Sequence, residues 1–261
     1  MASNLDRVPF TKRLAPAIAA CAMLVVTVVA IGGPVDPPSG PIGPTGKTIA
    51  ELEPRTAINA ANTPGDATSL FRITQPGSYT LTGNLQGVAG KHGIAIAASG
   101  VTLDLNGFAV IGAAGSLDGI SVVASDLTTI TVRNGTVRAW GGDGVDLSTM
   151  NANNARLSEL LVSANAANGI AAGTGCAVTS CSVFGNALVG ISAAGGCAIS
   201  DCTTYSNFGT GISTGSGCAV IRCTSYFNDA AGISVGSGST VADCTCRLNT
   251  TDGILATSAC V

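Results

Sequence analysis

The sequence predicts an all-β solenoid, a single-stranded parallel β-helix of about seven coils behind a small N-terminal cap. The first observation is a strict period. Gly-Ile recurs at 169/170, 190/191, 211/212, 232/233 and 253/254, always 21 residues apart. Asn165, Asn186, Asn207, Asn228 and Asn249 keep the same step, as do Cys176, Cys197 and Cys218, with Ser239 in the next slot and Cys260 after it. Cys181, Cys202, Cys223 and Cys244 form a further column. A fixed period of this length marks a repeat architecture. The second observation is the texture of each unit: short period-two apolar runs broken by Gly, Ser, Asn and Asp, which read as strands and turns rather than helices. The third is length, since three short strands and three turns fill one unit of 21 to 26 residues.

The elements follow in order. Residues 14–31, "LAPAIAACAMLVVTVVAI", carry no charge and follow Arg7, Lys12 and Arg13, so residues 1–31 read as a signal peptide or an N-terminal membrane anchor. Either form implies export of the repeats, to an extracellular, periplasmic or cell-surface location. Residues 32–46 hold five prolines and five glycines and form a linker. Residues 47–92 are expected to supply a cap: a short helix over 47–59, with Thr48 as N-cap and Glu51 three residues on, then strands around Pro76-Gly77. Residues 93–261 are the solenoid, because Gly93-Ile94, Gly119-Ile120 and Gly144-Val145 carry the register upstream at steps of 26, 25 and 25. Coils stacked at the ~4.8 Å strand spacing place equal positions above one another. Ile94, Ile120, Val145, Ile170, Ile191, Ile212, Ile233 and Ile254 then form one inward column, and the asparagines bond along the stack at a turn. The last coil looks uncapped, which leaves end-to-end self-association as one partner expectation.

These columns resemble the right-handed parallel β-helix repeats of the pectate-lyase-like superfold. "VTLDLNGFAVIG" (101–112) and "ITVRNGTVRAWGGDGV" (130–145) resemble segments of uncharacterised secreted bacterial β-helix proteins, those of planctomycetes in particular. The resemblance spans roughly residues 70 to 261. It implies the fold and leaves activity open, because the superfold hosts lyases, hydrolases, epimerases and proteins without catalysis.

The cysteines suit a narrow core as small hydrophobes. Stacked cysteines have parallel Cβ vectors ~4.8 Å apart, wider than the ~3.5–4.5 Å of a disulfide. Disulfide formation and thiolate metal binding are the alternatives; the second lacks the paired knuckles and histidines of a zinc site.

Two groups of residues are candidates for chemistry. The position before each Gly-Ile reads His92, Asp118, Asp143, Asn168, Val189, Thr210, Ala231 and Asp252. With Asp146, expected outward on the same strand region, Asp118 and Asp143 make an acidic cluster below Lys91 and His92. Paired carboxylates suit Ca²⁺ or acid and base roles on a glycosidic bond. Asp and Asn before Gly are equally ordinary turn residues. Arg133 and Arg138 supply positive charge on another strand segment. The second group, Phe184, Tyr205 and Tyr226, falls 21 residues apart, as an outward ring stack for a glycan or as a self-stacking ladder. Trp140 occupies the asparagine register. Asn134-Gly-Thr and Asn249-Thr-Thr match the glycosylation acceptor pattern and read as turn chemistry. No cofactor is expected, and Ca²⁺ at the acidic column is the one metal considered there.

The chain of 261 residues is 46% apolar and only 10% charged, with net charge −3. Without residues 1–30 it keeps 9 basic against 14 acidic residues and has no basic stripe, which excludes nucleic acid as an expected partner. Two function classes stay open. One is an exported structural, adhesive or glycan-binding solenoid, whose partner is a polysaccharide or cell-surface component. The other is a lyase or hydrolase acting on an acidic polysaccharide. Scarce charge and aromatic residues favour the first.

Overall fold

The structure, a computed structural model, describes residues 53–148 and 152–261. The leader or anchor segment, the Pro/Gly linker, Thr48 and Glu51 lie outside the described residues. Those described form a parallel β-helix with no helix among them.

One sheet has nine strands, all parallel, from Ser69–Ile73 through His92–Ile96, Ile120–Val122, Val145–Asp146 and Ile170–Ala172 to Ile254–Ala256. Nine coils therefore replace the expected seven or so. Eight of them carry the column named from Ile94 to Ile254. The ninth begins at Ser69, in residues expected to form the cap, where Phe71 stands in register with Ile94 and Leu70 occupies the slot of the motif glycine. The expected helix over 47–59 is corrected in its described part: Thr56–Ala57 is a strand paired with Tyr79 and Thr80.

The remaining strands form a second, 15-stranded sheet that bends at a corner. Thr131–Arg138 and Arg156–Ser163 run continuously through the bend, with Asn134 and Glu159 at φ 59° and 55°. In later coils the bend splits the strand in two, as in Ala177–Thr179 and Ser182–Phe184, and Ser180, Asp201, Arg222 and Asp243 take the corner at φ 53–56°. A left-handed residue at this corner of each coil turns the chain without a longer loop, and two more left-handed columns, through Gly175 and Gly185, mark the other bends.

The core is a set of straight columns. Ile94, Ile120, Val145, Ile170, Ile191, Ile212 and Ile233 are fully buried, while Ile254 in the last coil is 46% exposed. Each fully buried aliphatic side chain contributes roughly 1.5–3 kcal/mol over an exposed one. The glycine before the isoleucine is required by close approach rather than by its φ. A Cβ on Gly190 would lie 2.6 Å from the Gly211 carbonyl oxygen and 2.7 Å from Asn207 Nδ2, and Gly169 is crowded in the same way. Beside it runs the asparagine ladder. Asn165, Asn186, Asn207 and Asn228 each donate from Nδ2 to the Oδ1 of the next asparagine at 2.9–3.0 Å. Each also donates its backbone N–H to the same oxygen at 3.0–3.2 Å. Trp140 opens the ladder, donating its backbone N–H to Asn165 Oδ1 and its indole N–H to the Val110 carbonyl.

All nine described cysteines are free, and the six between Cys176 and Cys223 are buried. They do more than fill space. Cys197 Sγ donates to the Gly173 carbonyl at 3.1 Å, and Cys218 Sγ accepts the Cys197 N–H at 3.3 Å. Ser239, in the same column, accepts the Cys218 N–H at 3.1 Å.

Candidate functional site

A pocket of about 410 Å³ opens on the outer face of the nine-stranded sheet, lined among others by His92, Asp118, Ser121, Asp143 and Asp146. The acidic cluster read from sequence is thus brought together. Asp118 and Asp143 reach it from the turns that precede Gly119 and Gly144. Asp146 shares a column with Ala95, Ser121 and Ala171. It faces away from the core side chains Val145 and Leu147, as strand alternation requires, yet it is buried at 5% exposure. Its side chain is therefore on the outward side but covered by its neighbours. Asp146 Oδ1 accepts the Ser148 N–H and hydroxyl, both at 2.9 Å.

The column before Gly-Ile is bonded along the stack. His92 Nδ1 accepts the Asp118 N–H at 3.2 Å; Asp118 Oδ1 accepts the Asp143 N–H at 2.8 Å; Asp143 Oδ1 accepts the Asn168 N–H at 2.6 Å. Asn168 Oδ1 then accepts the Val189 N–H at 3.2 Å. His92 Nδ1 also lies 3.1 Å from Asp118 Oδ2, and one nitrogen serves only one of these contacts at a time. Burial pushes the Asp143 carboxyl up to about 6; the Asn168 N–H opposes this, and the charges of Asp146 and Asp118 add to it. Lys91, expected above the cluster, donates instead to the Asp66 carbonyl at 2.6 Å.

Arg133 lies on the second sheet, away from this pocket, in a network that sequence reasoning did not find. Asp104 is buried, with Arg55 and Arg133 each 3.1 Å from its Oδ2. Asn106 N–H and Asn134 Nδ2 bond its Oδ1. Burial works to raise the Asp104 carboxyl, but these donors and the two guanidiniums together hold it below its usual range. Arg55 and Asp104 are 49 residues apart, so only strand register reveals the pair. Asn134 and Asn249 both use Nδ2 internally, Asn249 on the Ser225 carbonyl, as turn chemistry requires.

Phe184, Tyr205 and Tyr226 form a stack on the second sheet. Their centroids are 4.7 and 5.1 Å apart and both ring pairs are within 7° of parallel. The ring faces therefore look along the solenoid axis at one another, and a ligand approaching from outside meets ring edges and the tyrosine hydroxyls. Each stacked pair contributes ~0.5–1.5 kcal/mol beyond its burial. Phe208 and Phe227, which the sequence reading passed over, are exposed at 68% and 51%, the latter edge-on to Tyr226. Their only sequence signal is a place one residue to either side of a ladder asparagine.

Among the described residues, no three His, Cys, Asp or Glu side chains are grouped so as to hold a metal ion. No protein-family model matches the chain, and no curated protein matches it. Among solved structures, it is similar to the A-module of the Azotobacter vinelandii mannuronan C-5 epimerase AlgE6, at 13% identity and TM-score 0.49, over 69% of this chain and 71% of that one. It is also similar to pectate lyase Pel9A, at 14% identity and TM-score 0.41, over 78% and 76% of the two chains. Likeness this distant carries no argument about activity, and the parallel β-helix stands on the chain's own strand pairing.

Proposed function

We propose that the protein is an exported, non-catalytic β-solenoid that binds glycan on its outer surface. The observation that carries this reading is the bond series from Asp118 to Val189. Asp118 and Asp143 each accept the backbone N–H one coil on, and Asn168 makes the same bond with an amide that has no acid–base chemistry. The column is thus accounted for by turn bracing. What remains for a ligand is the ribbed outer surface, with hydroxyls and rings at fixed spacing. Export rests on the apolar stretch of residues 14–31.

A second reading, an enzyme acting on an acidic polysaccharide, draws on the Asp143 carboxyl raised to about 6 within the pocket. A carboxyl so raised is suited to acid–base work. One experiment separates the two. The full chain is incubated with a panel of acidic polysaccharides while unsaturated-product absorbance and reducing ends are followed. We expect no turnover and retention of one or more glycans on the protein. Turnover that is lost in Asp143→Asn, with the fold intact, would establish the enzyme instead.

A further inference from the structure

We infer that the outer face carrying the aromatic stack is a track for a linear anionic glycan, an inference that rests on the glycan-binding reading above. Strand register places Arg138, Ser163, Phe184, Tyr205, Tyr226 and Arg247 in one straight column, one residue per coil. Arg247 adjoins the ring stack directly, and Arg138 stands two coils before Phe184, beyond the buried Ser163; both arginines are exposed. Five coil steps separate the two, ~24 Å at ~4.8 Å per step.

Charge complementarity selects the occupant. Arg55 and Arg133 are paired with Asp104, Arg72 with Asp66, and Arg222 with Asp201. Arg138, Arg156 and Arg247 form no ion pair among the described residues, and two of these three stand in the aromatic column. Arg247 lies over the Tyr226 ring at 5.0 Å, which fixes its place at the end of the stack. The carboxylates beside this face, Glu159, Asp201 and Asp243, sit at the preceding corner on the other side of the hydroxyl column, where Arg222 takes Asp201 in a bidentate pair at 2.8 Å.

A second outward column, Ser182, Thr203, Thr224 and Thr245, runs alongside. It lies two residues away along each strand, ~7 Å at ~3.3 Å per residue. A row of hydroxyls beside a row of ring edges, in a column with guanidinium at either end, matches a polymer that repeats hydroxyls and carries spaced negative groups. Nucleic acid fits less well. Its bases need open ring faces, and here Tyr205 is covered on both sides by rings and Tyr226 by Tyr205 and Arg247.

The test is calorimetric titration of the full chain with two cellulose derivatives, anionic carboxymethyl cellulose and neutral hydroxyethyl cellulose, and with glucuronic acid and single-stranded poly(dT). Carboxymethyl cellulose is expected to bind, with affinity falling about tenfold or more between about 50 and 500 mM salt. Glucuronic acid, too short to engage both arginines, is expected not to bind detectably. Arg138→Gln with Arg247→Gln should weaken polymer binding about tenfold or more, with circular dichroism unchanged; Arg156→Gln, off the column, should leave it within about twofold. The wild-type comparison of polymer with monomer keeps the inference testable if the double variant misfolds. Equal loss in Arg156→Gln, binding of glucuronic acid as tight as the polymer, or tighter binding of poly(dT) would each overturn the track. Equal binding of both cellulose derivatives would overturn its anionic character and leave glycan binding standing. If no glycan binds here or in the panel above, both readings fall.

Discussion

The cysteine columns illustrate what a single residue contributes. Sequence reasoning treats a buried cysteine as a small hydrophobe, and the six buried thiols fit that. The structure adds polarity: Cys202 Sγ donates to the Ser200 carbonyl at 3.2 Å, and Cys218 Sγ accepts an N–H where Ser239, one coil on, does the same with oxygen. The neighbouring Cys181 thiol pushes the Cys202 thiol up to about 12, with some relief from Cys223 and a further rise from burial, so Cys202 stays protonated and inert at neutral pH. Serine should therefore replace Cys202 better than alanine does, although alanine is the more apolar. Cys202→Ser is expected to lose about 1 kcal/mol or less and Cys202→Ala about 1–3 kcal/mol, read from urea unfolding midpoints. A better-tolerated alanine would return the column to plain hydrophobic packing.

At the scale of one coil, the period was legible and its deviations were not. The 21-residue step exposed the Gly-Ile, Asn and Cys columns because identical side chains recur wherever equal positions touch. The coil at Ser69–Ile73 was hidden because Phe71 and Leu70 fill the motif positions, leaving nothing to match. The strand at Thr56–Ala57 was hidden for a related reason: an edge strand two residues long carries no alternation to read. Coil-scale register also makes a sharp prediction. Deleting residues 191–211 joins Gly190 to Ile212 and restores every column, so the variant should keep a cooperative melt at a somewhat lower temperature. Deleting residues 191–210 leaves one residue too many in a single coil and forces a bulge where Gly190 meets Gly211, so this variant should melt lower than the in-register deletion. Equal behaviour of the two deletions would mean that the columns do not hold the stack.

Across the whole molecule, the residues that look chemical are mostly rungs. Asparagines, cysteines, stacked rings and the acids before Gly-Ile each recur coil after coil and bond to their own kind or to the next backbone. The cluster of Asp118, Asp143 and Asp146 was legible in sequence because its members fall at the repeat step or on the adjoining strand. Its bonding was not, since an acid that braces a turn and an acid that works in a pocket have the same letters. Asp143 separates the two roles. Its carboxyl, raised to about 6, is mostly charged at neutral pH at a cost in stability. Its contribution is therefore fully present below the unfolded value of about 3.9 and lost as pH rises through about 6. Asparagine keeps the acceptor and removes the charge, as Asn168 does one coil on. The most direct test is the melting temperature of wild type and Asp143→Asn from about pH 4 to about pH 8. The account predicts that the variant matches wild type near the acid end and melts higher, by a few degrees, near the alkaline end. A variant that melts lower than wild type throughout would contradict it, because the carboxylate would then be an asset that asparagine cannot replace.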